Sequence, residues 1–382
     1  MNVYLVGGAV RDELLGLPVR ERDWVVVGAT EAEVAAAGFR RVDAAFPVYL
    51  HPETGEEYAL ARRETKTGPG YKGFVVEAGP DVTLEEDLAR RDLTINAMAR
   101  DAAGAIHDPF GGRADLDAGL LRHVTPAFVE DPVRVLRAAR FAAVLGRWGF
   151  RVAHATHGLM KCMAAGEDLR HVAPARLWRE MRGALAAEQP WRFFEVLAAC
   201  GALPRLLPEL AGHLPPRAPH VGEDPPAALQ NLRRIASSDS ELDARFAALM
   251  LGPVLAGLDV QRLRQELPAD GVCYDRLAHC REVCQALPAL AQAQPVALVA
   301  FLNRQRAFSR PERLERSLRV CVTVCGEPLA GAAARVRGAL AAARGVDAAA
   351  LAADGLRGLA LRHALDVRRA AAVDAAAAVA DS

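Results

Sequence analysis

Two short segments near the amino terminus carry side chains suited to phosphate and metal chemistry. Gly7-Gly8-Ala9-Val10-Arg11 follows one apolar run, and Glu21-Arg22-Asp23 precedes another. Glycines after a strand let the backbone turn closely around a phosphate, and Arg11 adds positive charge. Glu21 and Asp23 are two residues apart, so on a strand they share one face, where their oxygens suit Mg²⁺. Together the segments predict metal-assisted nucleotidyl transfer.

Each segment alone is weak evidence for such a site. A glycine pair before a helix is usually only a turn, and acidic residues at a strand start are usually solvated. The pair is not the dinucleotide-binding fingerprint either, because no third glycine follows at the required spacing. Three further segments strengthen the prediction: Arg90-Arg91-Asp92-Leu93-Thr94, Asp108-Pro109-Phe110-Gly111-Gly112, and Glu130-Asp131-Pro132-Val133-Arg134 with Arg137 and Arg140 beyond it.

These five motifs, in this order and spacing, resemble the class II CCA-adding enzymes, bacterial tRNA nucleotidyltransferases of the poly(A) polymerase-like superfamily. The resemblance is dense from residue 1 to about 210, is greatest to the gammaproteobacterial type, and thins beyond about 215. It implies addition of C, C and A to the 3′ end of tRNA from CTP and ATP, without a nucleic-acid template and with release of pyrophosphate.

Other functions share parts of this pattern. An enzyme that adds only CC or only A fits the same motifs. A poly(A) polymerase shares the head, but it calls for a strongly basic C-terminal region, and the tail here is neutral and rich in alanine. From a different class, a non-catalytic tRNA-binding protein would carry Glu21 as a mark of a decayed metal site.

The resemblance also assigns roles to single residues. Glu21 and Asp23 match the catalytic metal ligands, which implies Mg²⁺ as cofactor, although the family motif has aspartate at the position of Glu21. Asp131 and Arg134 match the pair that selects the incoming base, and Asp92 matches the residue that binds the ribose 2′-hydroxyl. Residues matching the other nucleotide-binding positions are Gly8, Arg11, Arg91, Arg137 and Arg140.

Base selection by two side chains has a chemical basis. A carboxylate accepts from the exocyclic amino group of cytosine or adenine, and an arginine donates to the neighbouring ring acceptor. Uracil and guanine present other patterns. Arg134, Arg137 and Arg140 fall on one broad face of a helix opened by Pro132. Arg176 and Glu180, one helical turn apart, are expected to brace that helix rather than to take part in chemistry.

The predicted fold is α+β, with a nucleotidyltransferase head containing a small mixed sheet and then an all-helical neck, body and tail. Predicted strands are 3–6, 23–28, 47–51, 56–62 and 74–77, and predicted helices are 8–15, 30–37 and 84–99. Residues 62–73, rich in glycine and basic residues, are predicted to be a mobile loop; the resemblance implies that this loop assists the change from CTP to ATP.

The expected parts of the chain are the head 1–115, the neck 116–205, a proline-rich linker 206–226 and the body and tail 227–382.

Composition narrows the class of protein. The 382 residues carry no leader-like start and no apolar stretch of membrane-spanning length, which favours a cytoplasmic protein without membrane contact. Seven scattered cysteines argue against a disulfide framework; Cys280, Cys284, Cys321 and Cys325, spaced in two i, i+4 pairs, are expected to be buried thiols rather than metal ligands. Charge is balanced at 47 basic and 47 acidic residues and does not decide nucleic-acid binding.

The C-terminal half departs from the gammaproteobacterial pattern, in which a His-Asp metal motif supports phosphohydrolase activity. After Arg245-Phe246-Ala247 the chain reads Leu249-Met250-Leu251, and its only His-Asp dipeptide, His107-Asp108, belongs to the head. No phosphohydrolase activity is expected. The tail is expected to grip the tRNA or to form a homodimer.

Overall fold

The computed structural model describes residues 1–43, 46–68, 73–214, 226–353 and 355–380. Its contacts divide the chain into a first unit, Met1–Asp224 with Gln265–Pro268, and a second unit, Pro225–Arg264 with Ala269–Ser382. Strands lie in the first unit and the described part of the second is helical, which confirms the α+β class. No helix in the described ranges is long and apolar enough to cross a bilayer.

The first unit contains the sheet and ten α-helices within its described residues. Its strands are β1 (Asn2–Val6), β2 (Asp23–Val27), β3 (Arg40–Arg41), β4 (Val48–Leu50), β5 (Glu57–Leu60), β6 (Arg62–Lys66), β7 (Phe74–Ala78), β8 (Ala99–Arg100), β9 (Ile106–His107), β10 (Leu120–Leu121) and β11 (Arg151–Val152). Its helices are α1 (Gly8–Leu14), α2 (Glu31–Ala36), α3 (Leu84–Ala89), α4 (Gly112–Asp117), α5 (Val133–Val144), α6 (His154–Ala165), α7 (Pro174–Leu185), α8 (Trp191–Ala199), α9 (Leu203–Leu206) and α10 (Pro208–Ala211).

The main sheet of the described residues has seven strands in the order β3-β4-β5-β2-β1-β8-β9. It is mixed, because β2 runs antiparallel to β1 and parallel to β5. Alternate residues of β1 and β2 face two buried clusters, one around Val6 and Leu88 and the other around Val26 and Leu60. Burial of these apolar side chains on both faces holds β1 and β2 at the centre of the sheet.

The predicted helix over 84–99 is wrong in its second half. Helix α3 ends at Ala89, and after it comes a 3₁₀ turn at Thr94–Asn96 and then strand β8. The Asp92 carboxylate accepts from the Leu93 N–H (2.8 Å), and the Thr94 N–H donates to the Arg122 carbonyl (2.9 Å). A local side-chain bond and a long-range backbone bond therefore replace the helical pattern.

The predicted mobile loop over 62–73 is also wrong at its start. Arg62–Lys66 forms β6, which pairs antiparallel with β7, so that Glu64 lies opposite Val76. The Glu64 carboxylate accepts from Arg62 of the same strand (2.8 Å) and from Arg90 (2.9 Å), and the pair with Arg90 holds β6 against the segment after α3. Residues 69–72 of the predicted loop lie outside the described residues.

Smaller differences concern short elements. The pairs β3–β4, β8–β9 and β10–β11 include two-residue strands that the sequence pattern does not reveal. Part of the segment predicted as a linker over 206–226 forms α10, with Leu210 buried, while residues 215–225 lie outside the described residues.

The described part of the second unit consists of nine α-helices. They are α11 (Ala227–Ala236), α12 (Leu242–Leu255), α13 (Val260–Glu266), α14 (Gly271–Leu290), α15 (Pro295–Arg304), α16 (Pro311–Cys325), α17 (Glu327–Arg344), α18 (Ala348–Ala353) and α19 (Gly358–Ala380). Helices α14 and α16 carry the two cysteine pairs. Cys280, Cys284 and Cys321 are buried, as predicted, and Cys325 is half-buried, with its Sγ 3.3 Å from that of Cys284.

Candidate active site

A cavity of about 500 Å³ in the first unit brings the predicted site residues together. All ten line it: Gly8, Arg11, Glu21, Asp23, Arg91, Asp92, Asp131, Arg134, Arg137 and Arg140. Also in its wall are Gly7, Glu64, Arg90, Asn96, Phe141 and Arg176. Residues that are up to 169 positions apart in sequence thus surround one space.

Strand register places the glycine turn beside the acidic pair. Val6 at the end of β1 lies opposite Asp23 at the start of β2. Gly7 follows with φ of 72° and ψ of −130°, a conformation open mainly to glycine, and its N–H donates to the Met98 carbonyl (3.2 Å). The backbone at Gly7 and Gly8 therefore approaches the same space as the Asp23 carboxylate.

Glu21 and Asp23 form a pair of carboxylates that face the cavity. No hydrogen bond or ion pair engages either carboxylate within the described part of the chain. Desolvation in the cavity raises the pKa of Asp23, the charge of Arg91 opposes that rise, and the charge of Glu21 adds to it. Two nearby carboxylates without protein partners, whose charges repel each other, fit a hard divalent cation such as Mg²⁺.

Arg91 is held between the glycine turn and helix α3. Its Nη2 donates to the buried Asp87 carboxylate (3.2 Å), while its Nε is buried without a hydrogen-bond partner. Burial disfavours the charge of Asp87, but Arg90 and Arg91 nevertheless lower its pKa. A buried donor without a partner is uncommon.

Asp92 and Arg137 form a buried ion pair between the segment after α3 and helix α5. The Arg137 Nε donates to Asp92 Oδ2 (2.6 Å), while Oδ1 accepts from the Leu93 N–H and from Asn96. Burial opposes ionisation of Asp92, but the charge of Arg137 and these hydrogen bonds hold its pKa at about 2. Asp92 is therefore ionised at neutral pH and fixes the Arg137 guanidinium in the cavity wall.

A second cluster forms around the ring of Phe141. The guanidinium carbons of Arg11 and Arg140 lie 5.1 Å and 4.4 Å from the ring centroid, and that of Arg137 lies 6.0 Å away. Arg11 also donates to the Asn96 side chain (2.7 Å). An aromatic face attracts cations, so the ring helps to gather three positive groups that repel one another.

The predicted base-selecting residues are positioned by other side chains and by backbone. Arg134 is buried, which lowers its pKa, and it donates to the carbonyls of Ala127 and Arg90, both at 2.6 Å. The Asp131 carboxylate accepts from Arg176 (2.9 Å) and from the Val133 N–H (3.0 Å). Arginine has five N–H donors, so Arg134 keeps donors beyond these two bonds.

Arg176 and Glu180 each bond to a residue at the cavity. Arg176 binds Asp131, and Glu180 accepts from the Arg140 Nε (2.6 Å). These contacts fit the expected bracing role, although Arg176 itself also lines the cavity.

Three further residues of the cavity wall, Glu64, Asn96 and Phe141, were not predicted from the sequence. Asn96 lies four residues beyond Asp92 in the same motif, and Phe141 follows Arg140 directly, so proximity in sequence was a usable signal for both. Glu64 carried no such signal, because it was predicted in a mobile loop, whereas it lies on β6.

Known protein families and curated relatives match most of the chain. Residues 3–122 match the family described as poly A polymerase head domain, and residues 149–214 match the probable RNA and SrmB-binding site of polymerase A. A multifunctional CCA protein from Pseudomonas putida is 48% identical over 98% of this chain and 99% of the relative. A protein of the same name from Nitrosococcus oceani is 46% identical over 98% of each chain.

Solved structures share the fold. The Bacillus stearothermophilus CCA-adding enzyme in complex with CTP is 26% identical, with a TM-score of 0.64 over 98% of this chain and 89% of that one. The Thermotoga maritima CCA-adding enzyme complexed with tRNA is 22% identical, with a TM-score of 0.65 over 99% of this chain and 91% of that one.

The glycine turn yields a test with an internal control. A Cβ at Gly7 would lie 2.9 Å from Arg91 Nη1, whereas a Cβ at Gly16, which has a similar φ of 67°, meets nothing within 4 Å. Both Gly7→Ala and Gly16→Ala strain the backbone, but only Gly7→Ala displaces Arg91. We expect Gly7→Ala to weaken CTP binding, measured by calorimetry, by about tenfold, or ~1.4 kcal/mol. Equal CTP affinity of the two variants would contradict the placement of Arg91.

Proposed function

The chain belongs to the family of CCA-adding enzymes, and on this premise we propose that it adds C, C and A to the 3′ end of tRNA from CTP and ATP, with release of pyrophosphate. The observation that carries the proposal is that two unpaired carboxylates, a glycine turn and seven arginines line one cavity. Carboxylates for a metal and guanidinium groups for a triphosphate are the parts that phosphoryl transfer requires.

The proposed cofactor is Mg²⁺, in a family of nucleotidyltransferases that acts with divalent metal. Glu21 and Asp23 would hold it, since both are unpaired oxygen donors at the cavity. When bound there, Mg²⁺ supplies the charge that activates the primer 3′-hydroxyl and stabilises the leaving pyrophosphate. Glu21 is one methylene longer than the family's aspartate, and a small shift of the strand or an interposed water would accommodate the difference.

Arginines are proposed to bind the triphosphate. Arg91 is oriented by Asp87 and Arg137 by Asp92, so both present fixed donors to phosphate oxygens. Donors fixed before the substrate arrives lose little entropy when they bind it, and they stabilise developing charge most effectively. Gly8 and Arg11 complete this wall, and Asp92 is proposed to reach the ribose 2′-hydroxyl as well.

Asp131 and Arg134 are proposed to select cytosine or adenine. Arg176 and the backbone carbonyls hold the two side chains in place before a nucleotide binds. Fixed donors and acceptors of this kind reject uracil and guanine, because their edges would leave buried polar groups unpaired.

The other parts of the proposal concern the rest of the chain. The proposed parts are a head (1–115), a neck (116–205), a linker (206–226) and a body with tail (227–382). The body and tail are proposed to bind tRNA or to form a homodimer. The protein is proposed to act in the cytoplasm. No phosphohydrolase activity is proposed. In support, Leu249 and Met250 are fully buried within α12, and His279 is bonded to Ser317 and Gln305, with a pKa that burial lowers to about 4.

The acidic pair is tested by removing each ligand. Glu21→Ala and Asp23→Ala should each nearly abolish CTP incorporation while tRNA affinity, measured by filter binding, stays largely unchanged, because a poorly held cation no longer offsets the triphosphate charge. Glu21→Asp should keep or raise the rate, and Glu85→Ala, an exposed carboxylate on α3, serves as the control. Wild-type turnover in Glu21→Ala would show that this residue is not a metal ligand.

Base selection is tested through the ratio of CTP to UTP incorporation. Asp131→Ala should lower this ratio by the equivalent of about 1–3 kcal/mol, the usual value of a good bidentate base contact. Arg176→Ala should lower it in the same direction by less, since it frees Asp131 without removing it. Arg170→Ala breaks an exposed ion pair with Glu167 and should leave the ratio unchanged. A wild-type enzyme that uses UTP as fast as CTP would refute the assignment.

A further inference from the structure

A second cavity, of about 560 Å³, opens beside the candidate active site in the first unit. The two cavities share five residues: Gly8, Arg11, Glu21, Asp23 and Arg140. The carboxylates that would hold the metal therefore stand at the junction of two spaces, each of a size that accepts a small ligand.

The two cavities extend toward opposite ends of helix α5. Arg134 and Arg137 line the first cavity, Val144 lines the second, and Arg140 between them lines both. At a rise of 1.5 Å per residue, the ends of this row are about 15 Å apart. Arg134 and Arg137 thus line only the first cavity and Val144 only the second, while Arg140 and the acidic pair border both.

We propose that the second cavity receives the 3′-terminal nucleotide of the acceptor RNA, with its base stacked on Trp148. The inference rests on the proposed function. In that reaction the 3′ oxygen forms a bond to the α-phosphorus, the bond from that phosphorus to the pyrophosphate oxygen breaks, and the hydroxyl proton is lost to solvent. Attack and departure are roughly in line, so the acceptor must approach from the side opposite the pyrophosphate. The second cavity offers that approach.

Trp148 has the properties of a stacking platform. It ends the 3₁₀ turn Gly146–Trp148 and is 39% exposed, so part of the indole is open to a ligand. The Arg147 guanidinium lies 4.2 Å from its ring centroid and is held by Glu188 (2.5 Å). Stacking on an aromatic ring tolerates any base, and the base at the acceptor end changes at each step of the proposed reaction.

Charge in the second cavity also suits an RNA end. Arg20 is exposed at its wall. Its two acidic residues beyond the metal pair are already engaged, Asp12 with Arg11 (2.7 Å) and Glu188 with Arg147. Away from the metal pair, a phosphate of the acceptor strand therefore meets an exposed cation and carboxylates that already have cationic partners.

The test uses an acceptor-stem RNA hairpin with 2-aminopurine as its 3′-terminal base, without any nucleoside triphosphate. Stacking on an indole quenches this fluorophore, so wild-type protein should quench it. Trp148→Leu should lose the quenching and raise the KM for the RNA about tenfold, while Trp148→Phe should retain most of both functions. Val42→Ala, an exposed apolar residue outside both cavities, is the control. Full quenching by Trp148→Leu would overturn the proposal.

Two further measurements separate this inference from the proposed function. Calorimetric CTP binding should be the same in Trp148→Leu and wild type, which also shows that the variant is folded. A loss of CTP affinity would overturn the inference, because the ring would then belong to the nucleotide cavity. Failure of the wild-type protein to incorporate CTP would contradict the proposed function, whereas quenching by Trp148 would still report where the RNA end binds.

Discussion

Repulsion among guanidinium groups is the physical constraint on which the site depends. Seven arginines line the cavity within the described residues, and two unit charges 4 Å apart interact by about 4 kcal/mol at an effective dielectric constant of 20. Each is held by an acceptor or an aromatic ring. Asp87 binds Arg90 and Arg91, Asp92 binds Arg137, and Glu180 binds Arg140. Without these partners the cavity would not assemble around so much positive charge.

The same partners account for the geometry of the elements. Helix α5 is tied to the segment after α3 by Asp92–Arg137, and to α7 by Glu180–Arg140. Strand β6 is tied to the same segment through Glu64 and Arg90. The order of elements around the cavity is thus set by ion pairs as well as by the apolar clusters of the sheet. The net result is a cavity whose donors are oriented before a triphosphate arrives.

Local pattern predicted much of the head, and the family resemblance supplied the ten candidate site residues that line the cavity. The apolar runs of β1 and β2 are buried on both faces and are read directly from the sequence, and the i, i+3, i+6 spacing of Arg134, Arg137 and Arg140 places them on one wall. The prediction of a helix over 84–99 was wrong beyond Ala89. There the Leu93 and Thr94 N–H groups, which a helix would use, donate instead to the Asp92 side chain and to the distant Arg122 carbonyl. Pairing between distant segments has no local signature, and Glu64 was missed for the same reason.

The most direct measurement of the account is the length of product formed on tRNA that lacks its 3′ terminus, with Mg²⁺ and chosen nucleotides. CTP alone should add two residues and stop, and CTP with ATP should add three and stop, as expected of a CCA-adding enzyme. Use of both nucleotides follows from side chains that accept either cytosine or adenine. A long run of adenylate from ATP alone would indicate a poly(A) polymerase. Addition of only CC or only A would indicate an enzyme restricted to that step. No incorporation at all would indicate a tRNA-binding protein without catalysis. Each of these results would contradict the proposed CCA addition.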